Sequence, residues 1–252
     1  MLRRPARAGI IPSVAWYKEW FGTEYLELYS HRDHGEAEAH VDFVSEVFAG
    51  SEPGAVLDLA SGAGRHTQAL RHRGIRALGV DLSLLLLNEP PRQPSVAADM
   101  CCLPFSEEVF DWVLNFFTSF GYFESEQENT QVLHEIYRVL TPAGRFLIDL
   151  FNRDFVVANL VRHEHQQREG YDVEIERWFD SRTQRVNKRI RVHSPRRKAQ
   201  TFLESVRAYT REEVERSLGQ AGLRVDRFFG DFQGEPFQSD SERLILVGHK
   251  PS

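Results

Sequence analysis

"VLDLASGAGRHTQAL", residues 56–70, is the stretch whose reading decides the fold. An apolar run enters a turn containing Gly62 and Gly64 and leaves as a segment with helical spacing. This is the pattern of a strand, a glycine turn and a helix, and such a turn brings bare backbone against a ligand because glycine has no Cβ to obstruct it. A phosphate-cradling P-loop needs GxxxxGK followed by Ser or Thr, and no such run exists in the chain. The nucleophile elbow GxSxG is absent too. A dinucleotide fingerprint needs a third glycine where Gly62-Ala63-Gly64-Arg65-His66-Thr67 has a threonine, which weakens the pyrophosphate reading.

Working outward, residues 55–60, 76–82, 95–99, 110–116 and 145–151 are short and almost continuously apolar. Such runs suit strands covered on both faces, as in a parallel sheet. Helical segments at 64–73, 83–88 and 128–140 separate most of them, with Pro90, Pro91 and Pro94 stopping the second. The alternation predicts a doubly wound Rossmann-like α/β sheet with right-handed crossovers. After a helix over 153–164 it gives way to three antiparallel strands at 171–179, 184–192 and 201–209. A helix over 210–222 follows, with Thr210 as N-cap and Gly222 at its end, and then strands at 224–232 and 242–250. Upstream, Trp16, Tyr17, Trp20, Phe21, Tyr25 and Tyr29 recur at helical spacing within 12–30, and 36–49 reads as an amphipathic helix. The expected organisation is an N-terminal helical cap over 1–50, a Rossmann-like domain from 51–166 and 210–252, and an inserted antiparallel β lid over 167–209.

Composition sets the outer bounds. The 252 residues carry 31 Lys and Arg against 37 Asp and Glu, a net charge of −6 that argues against general affinity for nucleic acid or an anionic membrane. No apolar run approaches the ~20 residues needed to span a bilayer. The basic start "MLRRPARAG" is not followed by the apolar stretch of a secretory signal. The two cysteines, Cys101 and Cys102, are adjacent and read as buried free thiols in a reducing, cytoplasmic setting.

The segment Asp58-Leu59-Ala60-Ser61-Gly62-Ala63-Gly64 resembles the first motif of class I S-adenosylmethionine-dependent methyltransferases, with Ala60 in place of one family glycine. "GVDLS" ending at Ser83, "AADMCCLPF", "FDWVLNFFTSFGYF" and "LTPAGRFLIDL" are similar to the family's later segments, in the family's order. The resemblance implies S-adenosyl-L-methionine as cofactor, held by Arg32, Asp58, Ala60, Gly62, Gly64, Asp81, Leu82, Asp99, Met100 and Asn115. In that pattern Asp81 faces the ribose hydroxyls, Asp99 accepts from the adenine amino group and Met100 presents its backbone to the ring. Plainer roles stand beside these. Asp58 would bond the amides of its own turn, Asp81 would cap a helix, Asp99 would be a surface turn residue, and Arg32 an exposed charge beside Asp33. His66 reads as a capping or packing histidine.

For the acceptor, strand four carries Asn115-Phe116-Phe117-Thr118 rather than the Asn/Asp-Pro-Pro-Tyr of enzymes that methylate nucleic-acid bases. With "WYKEWF", "YLELYSHRD" and the tail "GDFQGEPFQSDSERLILVGHK" it resembles small-molecule methyltransferases. That implies N- or O-methylation of a small acceptor in a pocket lined by Tyr17, Tyr29, Phe116, Ser119, Tyr122 and Trp178. The sequence singles out no general base. His31 and His34 lack a third ligand at suitable spacing, so no metal is expected. One run points elsewhere: Arg182 to Lys198 holds eight Lys or Arg and no acid. It reads either as the wet face of a hairpin or as an arm for RNA. A domain that binds the cofactor without catalysis is the remaining alternative.

Overall fold

The computed structural model describes residues 15–28, 34–50, 52–168, 171–194 and 197–252. The chain enters through α1 (Trp16–Trp20), α2 (Thr23–Leu28) and α3 (His34–Val47). It then runs β1 (Val56–Leu59), α4 (Arg65–His72), β2 (Ala77–Asp81), α5 (Leu84–Leu87), β3 (Ser95–Ala97), β4 (Phe110–Asn115), α6 (Glu126–Val139) and β5 (Leu140–Phe151). After α7 (Arg153–Ala158) come β6 (His163–Arg168), β7 (Tyr171–Asp180), β8 (Arg185–Ser194) and β9 (Arg197–Arg207). Helix α8 (Arg211–Gln220), β10 (Arg224–Phe229) and β11 (Arg243–His249) complete it.

Two sheets result: a seven-stranded one ordered β10-β11-β5-β4-β1-β2-β3 and a four-stranded one ordered β6-β7-β8-β9. Strands β3, β2, β1, β4 and β5 are parallel, whereas β11 runs antiparallel to both β5 and β10. Because the chain builds outward from β1 to β3 and then restarts at β4 on the other side, the order reverses between β1 and β4. Ligands of such sheets sit in the crevice outside the strand ends at that reversal. Separate apolar clusters cover the two faces of the large sheet, one including α6 and α8 residues such as Leu133, Ile136 and Leu218, the other α3 and α4 residues such as Val44 and Leu70. In a third cluster Trp16, Trp20 and Leu28 pack on Val173, Ile175, Ile190 and Val192 of the small sheet.

The two longer helices on the first face have capping boxes, Ser125 with Glu128 and Thr210 with Glu213, so Thr210 is the cap its sequence predicts. Gly222 follows α8 at φ +88, where a Cβ would lie 2.9 Å from the Tyr137 ring.

Four expectations need correction. The helix read over 153–164 ends at Ala158, and a fourth strand, β6, takes over at His163, so the second sheet begins ahead of 167. "HEHQQR" is an edge strand with no apolar alternation, and period-2 patterning has nothing to register there. The aromatic stretch 12–30 holds two short helices broken at Phe21 and Gly22 rather than one. Strand β5 starts at Leu140, where helix α6 passes directly into extended backbone. Cys102 is exposed, and only Cys101 packs against the core.

At the start of α4, His66 is buried, with its Nε2 3.0 Å from Nδ1 of buried His40. The rings lie between Phe116, 4.0 Å from His66, and Phe232, 3.7 Å from His40. Burial, then the cations Arg243 and Arg65, pull His40 down to about 4, and burial also holds His66 well below the usual histidine value. The folded protein therefore refuses protons that the unfolded chain accepts from about pH 6.5 downward. Stability conferred by the neutral pair is complete above pH 6.5 and is lost as pH falls toward 4. We expect the double variant His40→Phe/His66→Phe to lose less stability than wild type over that window, by about 3 kcal/mol or more. Urea melts at stepped pH give this difference; parallel slopes would exclude the pair as its source.

Candidate active site

The turn after β1 has three left-handed residues in five: Ala60 at φ 59, Gly62 at φ 56 and Gly64 at φ 77. An added Cβ at Gly62 meets nothing closer than Leu86 Cδ1 at 3.9 Å, so the turn is open on that side. At Gly64 it would meet Gln93 Cγ at 2.9 Å, so this second glycine serves close packing. The turn is held by acids at the strand ends. Asp58 is fully buried and accepts from Thr67 Oγ1 at 2.7 Å, on the first turn of α4 rather than from its own loop. Burial, opposed by the Thr67 bonds, pushes its carboxyl up to about 6. Asp81 at the end of β2 accepts from Gly62 N and Ser83 N, both at 2.8 Å, and burial raises its carboxyl above the usual range. Beyond β3, Asp99 Oδ1 accepts from Cys101 N at 2.9 Å.

These groups form the floor of a cavity of about 1080 Å³. Its walls are aromatic, with Tyr17 from α1, Tyr25 from α2 and Phe21 from the break between them facing Tyr122 from the loop after β4. Phe21 and Tyr122 stack with centroids 5.9 Å apart, and Ser83 Oγ bonds to Phe21 O at 2.8 Å, tying this cap to the floor. The small sheet closes the far side with Arg177, Val186, Lys188, Glu204 and Val206. Pockets for one drug-sized ligand run to about 300–1,000 Å³, so the space admits a cofactor together with a second small molecule.

Residues 57–148, which span the motif turn and the strands that carry the floor, match the methyltransferase domain family. The chain contains a class I S-adenosylmethionine-dependent methyltransferase domain. Over 102 residues it is 35% identical to a demethylmenaquinone methyltransferase of Streptomyces griseus subsp. griseus, a match covering 39% of this chain and 43% of that protein. The chain thus spans less than half the length of that relative. In overall fold it is similar to the methyltransferase CcbJ from Streptomyces caelestis, with a TM-score of 0.77 at 17% identity, covering 92% of this chain and 98% of that one. The sugar N-methyltransferase KedS8 from a Streptoalloteichus species gives a TM-score of 0.69 at 18% identity over the full length of both chains.

In this methyltransferase domain Asp58, Ala60, Gly62, Asp81, Leu82, Asp99 and Met100 all line the cavity, together with Tyr17, Phe116, Ser119 and Tyr122. Gly64 and Asn115 do not. Asn115 is buried beneath the turn, its Nδ2 donating to Leu59 O at 2.9 Å, and it ties β4 to β1 at the point of strand reversal. Trp178 also lies outside. Alternation along β7 turns Arg177 toward the cavity and Trp178 to the opposite face, where the Arg189 guanidinium sits 5.1 Å from its ring. Tyr29, His31 and Arg32 fall outside the described residues, as does the side chain of His34. The Tyr17 hydroxyl is pushed up to about 12 by burial and by the nearby Asp99 and Glu128, so at neutral pH it is a hydrogen-bond donor and not a base.

Sequence reading missed an ion pair below the acceptor side. Arg243 Nη2 bonds to Asp149 Oδ2 at 2.7 Å, and the same oxygen accepts from Phe117 N at 2.7 Å. This holds Phe117 and Thr118 in left-handed conformations, φ 56 and 55, so that the chain turns sharply into the cavity wall. The signal was available: an acid inside "FLIDLF" is buried in a central strand and needs a partner.

Ala60 is a non-glycine residue in the left-handed region, a conformation costing about 1 kcal/mol or more. Ala60→Gly should therefore raise unfolding stability by about 0.5–1 kcal/mol even though glycine loosens the unfolded chain. Denaturant melts check this, and a destabilised variant would mean that Ala60 makes contacts outweighing its backbone strain.

Proposed function

We propose that this chain transfers the methyl group of S-adenosylmethionine to a nitrogen or oxygen of a small-molecule acceptor, in the cytoplasm. The observation that carries the reading is the polarity of the cavity: three carboxylates on its floor, aromatic walls and a sheet above. The cofactor supplies an activated methyl group on a sulfonium, and transfer forms a bond from the acceptor lone pair to that carbon while the sulfur keeps the electrons of the broken bond. The acceptor's proton, where it has one to lose, leaves to solvent.

In this reading Asp81 takes the ribose hydroxyls on the lone pairs that its bonds to Gly62 N and Ser83 N leave open. Asp99, its Oδ1 already held by Cys101 N, takes the adenine amino group, with the Met100 backbone against the ring. Gly62 lets the backbone approach the methionyl part, and Asp58 adds negative potential beneath a cofactor that carries positive charge. This set fits S-adenosylmethionine better than a dinucleotide, since the turn has lost the third glycine and its floor repels phosphate. What remains for the protein is alignment and exclusion of water, effects worth up to ~7–11 kcal/mol. The cap and the inserted sheet supply both by covering the carboxyl edge of the strands.

The basic run does not favour RNA. Arg189 Nη1 is 2.6 Å from Glu176 Oε2 and Arg191 Nη1 is 3.5 Å from Glu174 Oε2, each pair crossing from β8 to β7 on the face away from the cavity. Arg185 is buried among backbone carbonyls.

Calorimetric titration should show saturable binding of S-adenosylmethionine and S-adenosylhomocysteine, and NAD binding with neither of these would refute the assignment. Asp81→Asn keeps one of the two acceptors and removes the charge, so it should weaken both about ten- to a hundredfold, with melting measured alongside to confirm that the variant is folded. Unchanged affinity would remove Asp81 from the site. Binding of mixed cellular RNA at rising salt, compared between wild type and Arg189→Ser/Arg191→Ser, tests the acceptor class. We expect weak binding indifferent to those changes; tight, salt-steep binding that they abolish would defeat the small-molecule reading.

A further inference from the structure

The inner face of the four-stranded sheet carries charges where packing alone calls for apolar residues. In register across β7, β8 and β9 stand Arg177, Lys188 and Glu204. The rows on either side are Ile175, Ile190 and Phe202, and Phe179, Val186 and Val206. Arg177 and Lys188 are direct cross-strand partners, and like charges placed opposite each other destabilise a sheet. Both are largely covered, with side chains 23% and 16% exposed, which raises the cost of keeping them charged. A glutamate flanks each: Glu164 Oε2 lies 2.7 Å from Arg177 Nη2 and Glu204 Oε2 lies 3.6 Å from Lys188 Nζ. The order is acid, cation, cation, acid, and Arg177 Nη1 also donates to Val161 O at 3.4 Å.

Arg177, Lys188 and Glu204 all line the cavity. Of its other cations, Arg65 is engaged lower down with Glu36 at 3.6 Å and Arg243 with Asp149 at 2.7 Å, and Lys18 stands on the helical cap. The cavity thus has carboxylates at the strand ends and, on the roof, two cations with Glu204 beside them. A local arrangement that opposes sheet stability marks a functional place in an otherwise consistent fold.

We propose that the Arg177–Lys188 pair is the recognition site for an oxyanion, a carboxylate or a phosphate, borne by the methyl acceptor. An oxyanion bridging the two side chains removes their mutual repulsion, and a guanidinium offers it two parallel donors. Glu164 and Glu204 hold the cations in place on the cavity face of the sheet. The aromatic walls formed by Tyr17, Phe21, Tyr25 and Tyr122 receive the acceptor's flat or apolar body. With its anion on the roof, the acceptor's nucleophilic atom is directed to the floor, where the cofactor lies. The inference rests on the methyltransferase reading above and adds the acceptor's charge and orientation.

The test uses the full chain saturated with S-adenosylhomocysteine, and four probes with one ring and different heads: benzoate, phenyl phosphate, benzamide and benzylamine. Titrations followed by NMR should show benzoate or phenyl phosphate binding about tenfold tighter than benzamide, and benzylamine weakest. The ranking of the two anions tells a carboxylate site from a phosphate site. The preference should fall to about twofold or less in Arg177→Gln and in Lys188→Gln. It should persist in Lys188→Arg, and in Arg189→Gln, whose side chain is on the other face. Equal binding of benzoate, phenyl phosphate and benzamide to wild type would overturn the proposal, as would a preference that survives both neutral variants. S-adenosylhomocysteine affinity measured on the same samples separates the two levels: its absence sinks the methyltransferase reading, whereas its presence without anion preference sinks the roof site alone.

Discussion

Everything at the cavity floor hangs on carboxylates buried at the ends of parallel strands. Asp81 joins two turns, accepting from Gly62 in one and Ser83 in the other. Asp58 fixes the start of α4 through Thr67, and Asp149 fixes the loop after β4 through the amide of Phe117. A parallel sheet covered on both faces has little choice here. Its strand ends leave polar groups that water cannot reach, so they must be satisfied from within. The acids do this at the cost of their own desolvation, visible as carboxyls held above the usual range at all three positions. The result is a floor of negative potential aimed into one cleft.

Much of this was legible in the sequence, for a definite reason. Strands such as 56–59 and 110–115 are buried on both faces and so show continuous apolar runs, and the two glycines of the turn mark left-handed backbone that other residues avoid. Asp81 and Asp99 could be placed because each directly follows such a run. The failures have equally local causes. Strand β6 is polar and lies at a sheet edge, so it lacks the alternation that betrays a strand. Asn115 sits at the strand end the motif marks, yet Leu59 O draws its side chain below the floor. Trp178 was misplaced because period 2 assigns faces only when the register is known, and a shift of one residue exchanges them. The Asp149–Arg243 pair joins residues 94 apart in sequence, beyond the reach of any local pattern.

The basic stretch from Arg182 to Lys198 shows how register decides what a charge does. In sequence it is one run, but on β8 its members divide between two faces and three tasks. Arg189 and Arg191 match Glu176 and Glu174 on the outside. Lys188 turns inward to the cavity. Arg185 enters the body of the protein. Net charge along a segment therefore says little until the pleat has sorted it.

Arg185 also explains why the inserted sheet holds its place above the floor. It is buried and donates to Gly121 O, Tyr122 O and Phe123 O at 3.2, 3.0 and 2.8 Å, and to Ser205 Oγ on β9 at 2.8 Å. Arg207 N adds a bond to Gly121 O at 2.8 Å, and Gly121 adopts φ +98 with Arg207 O 3.0 Å from where its Cβ would be. One guanidinium thus fastens the roof to the loop that carries Tyr122, itself a wall of the cavity. Loss of the arginine would leave three loop carbonyls without their charged donor in a site closed to water, a larger penalty than the loss of one exposed ion pair. The separation of roof and floor is consequently a property of the folded core, and the space between them is defined before any ligand arrives.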